Sequence, residues 1–217
     1  MRAAVFLGPS LPREEALRVF RSAVYYPPAA RGDIAAAADS GFQIIGLIDG
    51  VFYQQAAVSH REILDAMSGG IRIFGGSSMG ALRASELDVF GMVGVGKIYE
   101  WYKSGKIRSD DEVALAFHPM DYRPLSEPLV NTRATLERLF IEGRISLREH
   151  DLLLGAAKAI QFQLRNPYRI IQKALHDGLE KERGRELLDC MLKARVDLKR
   201  EDALMVLKRI KDEVKEL

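Results

Sequence analysis

The chain has 217 residues, of which 47% are hydrophobic and 29% charged, and its formal net charge is +2. This is the composition of an ordinary folded protein. The balanced charge predicts no nucleic-acid partner, and no apolar run reaches the roughly 18 residues that a membrane span needs. The single cysteine, Cys190, excludes an intrachain disulfide and a cysteine metal cluster. Gly8-Pro9 breaks the apolar run at the start of the chain, so no secretory signal is expected. Together with the single cysteine, this predicts a cytoplasmic protein.

Apolar segments alternate with helical ones through the first half of the chain. Strands are expected at residues 3–7, 43–48, 71–74 and 112–117. Helices are expected between them, including one that begins at His60 after the capping box Ser59-x-x-Glu62, whereas residues 25–29 predict a rigid loop because Pro28 forces Pro27 out of the α region. This alternation predicts an α/β fold, with a parallel β-sheet flanked by helices in a Rossmann-like three-layer arrangement.

Beyond Pro128 the pattern becomes wholly helical. Helical periodicity covers residues 132–140, 146–164, 167–176 and 185–196, followed by a last helix. We therefore expect an α/β core domain over residues 1–120 and a helical region over residues 121–217. The last helix carries an apolar seam, which indicates either packing on its own protein or a homo-oligomer contact through the C-terminal helices. The seam consists of Ala203, Leu207, Ile210, Val214 and Leu217.

A serine-containing turn follows the third predicted strand. The sequence Gly76-Ser77-Ser78-Met79-Gly80 has the form G-x-S-x-G and lies between a strand and a helix. In that context the pattern is typical of a nucleophile elbow, in which a sharp turn exposes a serine hydroxyl. A second interpretation stays open, because serine is also a preferred residue at helix N-termini, and Ser77 and Ser78 could simply cap the following helix.

Other polar residues are expected at the same edge of the sheet, because the carboxyl ends of parallel strands meet there. We predict Ser78 as nucleophile with Ser77 as its substitute, His60 as general base and Asp49 as the carboxylate that orients the imidazole. The alternatives are a common Asp-Gly turn at Asp49 and a solvated first-turn residue at His60.

The rest of the predicted pocket binds substrate. The N–H of Met79 and an N–H near Gly8 would form an oxyanion hole. Five residues are expected to shape or charge the pocket: Gly8, Ser10, Gly76, Met79 and Arg83.

No cofactor or metal is expected. Residues 94–97 resemble a phosphate-binding loop, but they lack the earlier glycine and the Ser/Thr that should follow the lysine. The histidines outside the predicted site, His118, His150 and His176, have no partners at metal-ligand spacing.

Taken together, six segments resemble the core domain of TfuA-like proteins over roughly residues 4 to 120. They are Phe6-Leu-Gly-Pro-Ser10, Tyr26-Pro-Pro-Ala29, Gly32-Asp33, Ile45-Gly-Leu-Ile-Asp-Gly-Val-Phe52, Val58-Ser-His-Arg-Glu-Ile-Leu64, and Gly76-Ser-Ser-Met-Gly-Ala-Leu-Arg-Ala84 with Phe90-Gly-Met92. The helical C-terminal half carries no such signature. Because the motifs occur together and in order, the resemblance is far more specific than any one of them.

The resemblance implies a function linked to post-translational thioamidation. TfuA-like proteins are associated with ATP-dependent YcaO enzymes, which convert a backbone amide into a thioamide. The role proposed for the family is sulfur transfer: the thiocarboxylate of a ubiquitin-like sulfur-carrier protein is hydrolysed and sulfide is released for the YcaO partner. The resemblance does not say which residues perform the hydrolysis, so the residue roles above come from position alone.

Three functions are therefore weighed. The first is a sulfur-delivery hydrolase whose partners are a YcaO-type enzyme and a ubiquitin-like sulfur carrier. The second is a non-catalytic adaptor that binds and stimulates the YcaO enzyme, using the loop at Tyr25-Tyr26-Pro27-Pro28 and the C-terminal helices. The third is a general esterase, which is disfavoured because the sequence has no obvious lid or apolar acyl site.

Overall fold

A computed structural model describes residues 1–52 and 56–215 of the chain. The strands are β1 (Ala3–Phe6), β2 (Val24–Tyr26), β3 (Ile44–Leu47), β4 (Arg72–Gly76) and β5 (Val93–Val95). The helices are α1 (Arg13–Val19), α2 (Asp33–Asp39), α3 (His60–Ser68), α4 (Met79–Leu87), α5 (Lys97–Lys103), α6 (Leu129–Ile141), α7 (Leu147–Ala159), α8 (Pro167–His176), α9 (Lys181–Lys193) and α10 (Leu198–Lys215).

The chain divides into two compact units. The first contains the described residues of Met1–Asp110, Pro119–Arg123 and Lys199–Leu217, and the second contains Asp111–His118 and Pro124–Leu198. The unit that holds the sheet therefore also includes α10 from Lys199 onward. The division into domains at residue 120 stays a prediction.

The first unit is built on one parallel sheet with the strand order β2-β1-β3-β4-β5. Its central strands β1 and β3 are apolar throughout, and every one of their residues is buried. The chain runs from β1 to β2 on one side and then returns to place β3 on the other side of β1. The sheet thus has a topological switch point between β1 and β3, where α/β proteins commonly bind ligands.

Helices cover both faces of this sheet, as the sequence predicted. Val5, Ile44 and Phe74 pack on one face against residues of α1 and α10. Alternate residues of the same strands, such as Ile45 and Ile73, pack on the other face against α2, α3 and α4. Because successive strand side chains point to opposite faces, a continuously apolar strand requires this three-layer arrangement.

The apolar seam of the last helix packs against one face of the sheet. Ala203, Leu207 and Ile210 are fully buried in the cluster that covers one sheet face, and Val214 packs against that cluster. These contacts match the interpretation that α10 packs on its own protein. The fifth residue of the predicted seam, Leu217, lies outside the described residues.

The second unit is helical over most of its length. Its core is formed by α6, α7, α8 and α9, with fully buried residues such as Leu136, Leu153 and Ile170. Each helix has an apolar side turned toward this core, and α7 begins with a complete capping box in which Ser146 and Glu149 exchange hydrogen bonds.

Some element predictions were wrong. The predicted strand at residues 112–117 is absent: Asp110–Glu112 form a 3₁₀ helix, and the Ala116 N–H donates to Ser126 Oγ (2.8 Å) instead of to a neighbouring strand. The short strands β2 and β5 were missed, because β2 ends directly before Pro27-Pro28 and the Val93–Val95 segment is interrupted by a glycine.

The helix predicted at residues 146–164 is also shorter than expected. It ends at Ala159 and is followed by a separate 3₁₀ helix, Phe162–Leu164. The fully buried guanidinium of Arg165 donates to the carbonyls of Ala157 and Ile160, at 2.9 and 3.0 Å. The Arg165 side chain therefore donates to carbonyl groups at the end of α7, which a longer helix would have bonded to its own N–H groups. None of the described helices is both long enough and apolar enough to cross a membrane.

Candidate functional site

The serine turn joins β4 to α4 and contains a strained residue. Ser77 has a φ of 67°, in the left-handed region that side chains other than glycine seldom adopt. The Ser78 N–H donates to Gly76 O at 2.8 Å, closing a three-residue turn around Ser77. Such strain occurs most often at functional sites, where the surrounding structure holds the backbone in place.

The two serine hydroxyls have different environments. Ser77 Oγ is fully buried and donates to the carbonyl oxygen of Lys199 at 2.8 Å. Ser78 occupies the N-cap position of α4, yet its side chain makes no capping hydrogen bond. The interpretation of these serines as simple side-chain caps is therefore not supported at Ser78, whose hydroxyl remains available for another partner.

Close backbone packing holds this turn against β3. The Gly80 N–H donates to Ile48 O at 3.2 Å, and a Cβ on Gly80 would overlap the carbonyl oxygen of Leu47. Gly75 in turn packs against the carbonyl of Gly80. Glycine is required at both positions because the first turn of α4 approaches β3 at Gly80 and β4 at Gly75 without room for a side chain.

Asp49 connects the loops that follow β1 and β3. Its carboxylate accepts hydrogen bonds from Gly8 N (2.8 Å), Ser10 N (3.0 Å) and Ser10 Oγ (2.6 Å). These contacts lie at the switch point of the sheet. They also occupy the backbone N–H of Gly8, which the sequence had suggested for an oxyanion hole, whereas the Met79 N–H has no hydrogen-bond partner among the described residues.

The residue that sequence reasoning missed is Lys199, in the first turn of α10. Its Nζ lies 3.9 Å from Asp49 Oδ1, and Asp49, Ser77, Ser78 and Lys199 are all at most 2% exposed. The available signal was helical spacing, because Lys199 lies four residues before Ala203 and extends the apolar seam by one turn. A charged residue on a buried face usually has a partner.

His60 lies elsewhere, on the surface of α3. Its side chain is 50% exposed, and Nε2 is 2.7 Å from Glu86 Oε2. Glu86 also accepts from Arg83 Nη1 at 2.8 Å, and Arg83 Nε donates to Val58 O at 2.9 Å. Asp49 and His60 therefore have different hydrogen-bond partners. Among the described residues, no hydrogen bond joins Asp49 to His60 or His60 to Ser78, as the predicted triad requires. The catalytic roles of these residues stay predictions.

A cavity of about 440 Å³ runs along α4, beginning beside the serine turn. One face of α4 forms its wall through Met79, Leu82, Arg83 and Glu86, and the segment Arg108–Ser109–Asp110 contributes to its lining. Met79 is the residue directly after Ser78, so the cavity and the buried cluster are neighbours. Within the described part of the chain, no three His, Cys, Asp or Glu residues are placed to hold a metal ion.

The buried cluster has the groups that acyl transfer uses. In it the Ser77 hydroxyl donates to the backbone carbonyl of Lys199, and the Lys199 ammonium lies 3.9 Å from the Asp49 carboxylate. Serine with lysine is one of the known pairs for nucleophilic catalysis, and a free helix N–H can stabilise a developing oxyanion. The fold and the site thus define a three-layer α/β protein with a strained serine turn beside the switch point of its sheet.

Within that class the chain belongs to the TfuA-like family. The family model, described as "TfuA-like protein", matches residues 49–166. The match covers more than half of the chain, including Asp49, His60 and the serine turn, but neither the Gly8–Ser10 loop nor Lys199. No curated protein matches the sequence. Membership in this family is consistent with a role linked to YcaO-dependent thioamidation.

Proposed function

We propose that this protein delivers sulfur to a YcaO-type enzyme by hydrolysing the thiocarboxylate of a ubiquitin-like sulfur carrier. The observation that carries the proposal is the buried cluster in which the strained serine turn meets Lys199 and Asp49 at the carboxyl edge of the sheet. Thioacid hydrolysis is acyl chemistry, for which a serine, a base and an N–H donor are sufficient.

Ser78 is the better candidate for the nucleophile, since the Ser77 hydroxyl is already donated to Lys199 O. In the proposed first step the Lys199 ammonium has passed its proton to solvent, and Ser78 Oγ attacks the thioacid carbonyl carbon while the resulting amine takes the hydroxyl proton. The C–S bond then breaks, sulfide leaves with the electron pair, and the lysine gives the proton to the departing sulfur. Water hydrolyses the resulting ester, which returns the Ser78 hydroxyl and leaves the carrier with a carboxylate.

Lys199 replaces His60 as the proposed base. The exposed His60 side chain is engaged by Glu86, whereas Lys199 contacts both the serine turn, through its backbone carbonyl, and Asp49, through its ammonium. Asp49 would then hold the Gly8–Ser10 loop and the lysine in position, which keeps the predicted orienting role but changes the group that is oriented.

The test measures sulfide released from a thiocarboxylated carrier protein. We expect Ser78→Ala and Lys199→Met each to lower the rate at least about 100-fold, the usual scale for loss of a catalytic base or nucleophile. If His60→Ala has that effect and Lys199→Met does not, the base is His60. Sulfide release that survives both Ser78→Ala and Lys199→Met overturns the site, and no release by the wild type overturns the hydrolase.

A non-catalytic adaptor is the second candidate, and the burial of the cluster favours it. With Ser77, Ser78 and Asp49 almost completely inaccessible, the cluster could be a structural core that holds a binding surface for the YcaO enzyme. Free sulfide separates the two candidates in a reconstituted thioamidation reaction. A sulfur supplier becomes dispensable when sulfide is added, whereas an adaptor remains necessary.

A further inference from the structure

The buried cluster presents a problem of access that the cavity along α4 can resolve. Ser78 and Lys199 are 2% exposed, so a substrate cannot reach them through an open cleft. Within the described part of the chain, Met79 directly follows the serine turn and also lines the cavity. Its Cγ would lie 2.7 Å from a Cβ placed on Gly50, so the Met79 side chain packs directly over the residue that follows Asp49.

We propose that this cavity is the groove for the extended C-terminal tail of a peptide substrate, and that Met79 is the gate between the groove and the buried serine turn. The proposal rests on the proposed hydrolase function and names how its substrate enters. Methionine suits a gate because its unbranched side chain changes rotamer at little cost, unlike a β-branched residue.

The dimensions of the groove suit a short stretch of extended peptide. Met79 and Glu86 line the two ends of the α4 wall, and seven helical steps of 1.5 Å span about 10 Å. An extended chain advances about 3.3 Å per residue, so the wall matches about three residues. Because the cluster is so enclosed, the residue that reaches Ser78 must be slender, which favours glycine at the end of the tail.

The charges along the groove favour a peptide main chain over a strongly anionic ligand. Arg83 is held rigidly by Val58 O and Glu86, so these two opposite charges largely neutralise each other. Arg108 and Asp110 are exposed residues of the groove lining, and they offer it a donor and an acceptor. Alternating donors and acceptors match the C=O and N–H groups of an extended chain, whereas a polyphosphate would meet two carboxylates.

The experiment separates the groove from the chemistry by measuring binding without turnover. The probe is a fluorescein-labelled hexapeptide that ends in Gly-Gly with a free carboxylate, and its affinity is measured by fluorescence polarisation. Leu82→Trp would fill the groove, so we expect at least a tenfold loss of affinity. Ser85→Trp places the same ring on α4 at a residue that does not line the cavity, and is expected to bind within twofold of the wild type.

The gate has its own readout in the hydrolysis of a thiocarboxylated carrier. Met79→Ala is expected to raise kcat/KM by severalfold because the passage is wider, while Ser85→Ala, on the same helix but outside the cavity lining, stays within twofold of the wild type. Leu82→Trp should raise KM for the carrier at least tenfold, whereas its effect on thioacetate, which is too small to fill the groove, should be several times smaller.

Each outcome decides between the two proposals. Peptide binding that Leu82→Trp abolishes, without sulfide release by any variant, keeps the groove and overturns the hydrolase. Sulfide release with unchanged KM and unchanged peptide affinity in Leu82→Trp overturns the groove. If Leu82→Trp fails to fold, the exposed Arg108→Glu replaces it, with Arg61→Glu on the surface of α3 as its matched control. Equal affinities in that pair then overturn the groove.

Discussion

The ammonium of Lys199 lies 3.9 Å from the carboxylate of Asp49, and both side chains are almost fully buried. The two residues are 150 positions apart in sequence, yet they lie beside the same turn of the sheet unit. Two opposite charges are rarely buried unless each has hydrogen-bonding partners. Asp49 has three such donors, from Gly8 and Ser10. The pair therefore ties the start of α10 to the loops at the switch point.

Removing the Asp49 carboxylate should destabilise the first unit strongly. Asp49→Ala leaves the N–H groups of Gly8 and Ser10 without their acceptor and takes a nearby carboxylate from Lys199. Loss of one partner of a buried charge pair costs about 3–5 kcal/mol. Urea unfolding checks this, with the exposed Asp39→Ala as control, which should change the free energy of unfolding by less than about 0.5 kcal/mol. Equal effects of the two substitutions would contradict the assigned contacts.

The strained backbone at Ser77 predicts an unusual order of stability. Ser77→Gly and Ser77→Ala both lose the hydrogen bond to Lys199 O, so that loss cancels when the two variants are compared. Because a Cβ disfavours positive φ by roughly 1–2 kcal/mol, the glycine variant should be the more stable of the two.

Ser104 provides the control for that order. It follows α5 with a φ of −78° and a ψ of −8°, a conformation that any residue adopts. Ser104→Gly should therefore be no more stable than Ser104→Ala when all four variants are compared by thermal unfolding. An alanine variant that is the more stable at Ser77 as well would show that the turn is unstrained.

Two glycine-to-alanine substitutions should have opposite effects. Gly80→Ala places a methyl group on the carbonyl oxygen of Leu47 and separates α4 from β3, so we expect loss of several kcal/mol or failure to fold. Gly155 lies within α7 with no atom within 4 Å of its would-be Cβ. Gly155→Ala should stabilise the protein by about 0.5–1 kcal/mol, since alanine favours helix. Thermal unfolding measures both; equal tolerance would contradict the packing of α4.

Asp202 predicts a pH dependence of stability. Its carboxylate accepts from the N–H groups of Lys97 (3.0 Å) and Ile98 (2.7 Å), at the start of α5. Burial raises the pKa of Asp202 to about 6; the two N–H donors oppose this rise, and the nearby charges of Glu201 and Glu100 add to it. The folded state thus binds the proton more tightly than the unfolded state does. Asp202 therefore stabilises the fold at acid pH, and this contribution is lost as the pH rises from about 4 through 6.

Asp202→Asn should abolish that contribution. The amide keeps an acceptor for the start of α5 but does not titrate, so the variant's free energy of unfolding should fall less than that of the wild type between pH 4.5 and 7. Between these two pH values the wild type is expected to lose on the order of 2 kcal/mol more than the variant. Urea unfolding at several pH values measures it. The exposed Asp212→Asn on the same helix serves as control and should run parallel to the wild type; parallel curves for Asp202→Asn would contradict the prediction.

Local sequence signals predicted the parts of the fold that depend on neighbouring residues. The capping box at Ser59 and Glu62 is present, and α3 begins at His60 as predicted. The strands β1 and β3 could be recognised because a strand buried on both faces is apolar at every position, and β4 because only its first residue, Arg72, departs from that pattern. The strand predicted at residues 112–117 had the same local appearance, but Glu112 is instead held by two hydrogen bonds from Arg133.

The candidate site, like the fold, has features that local sequence predicts and features that it does not. By itself the sequence determined the α/β class, the strands β1, β3 and β4 and the serine turn between β4 and α4, because each depends on residues close together along the chain. Only the tertiary structure decided that Asp49 contacts Ser10 and Lys199, and that His60 contacts Glu86. Those partners are chosen by which strands become neighbours and by which face of α10 packs on the sheet. Both are decided by burial across the whole unit, which no local pattern records.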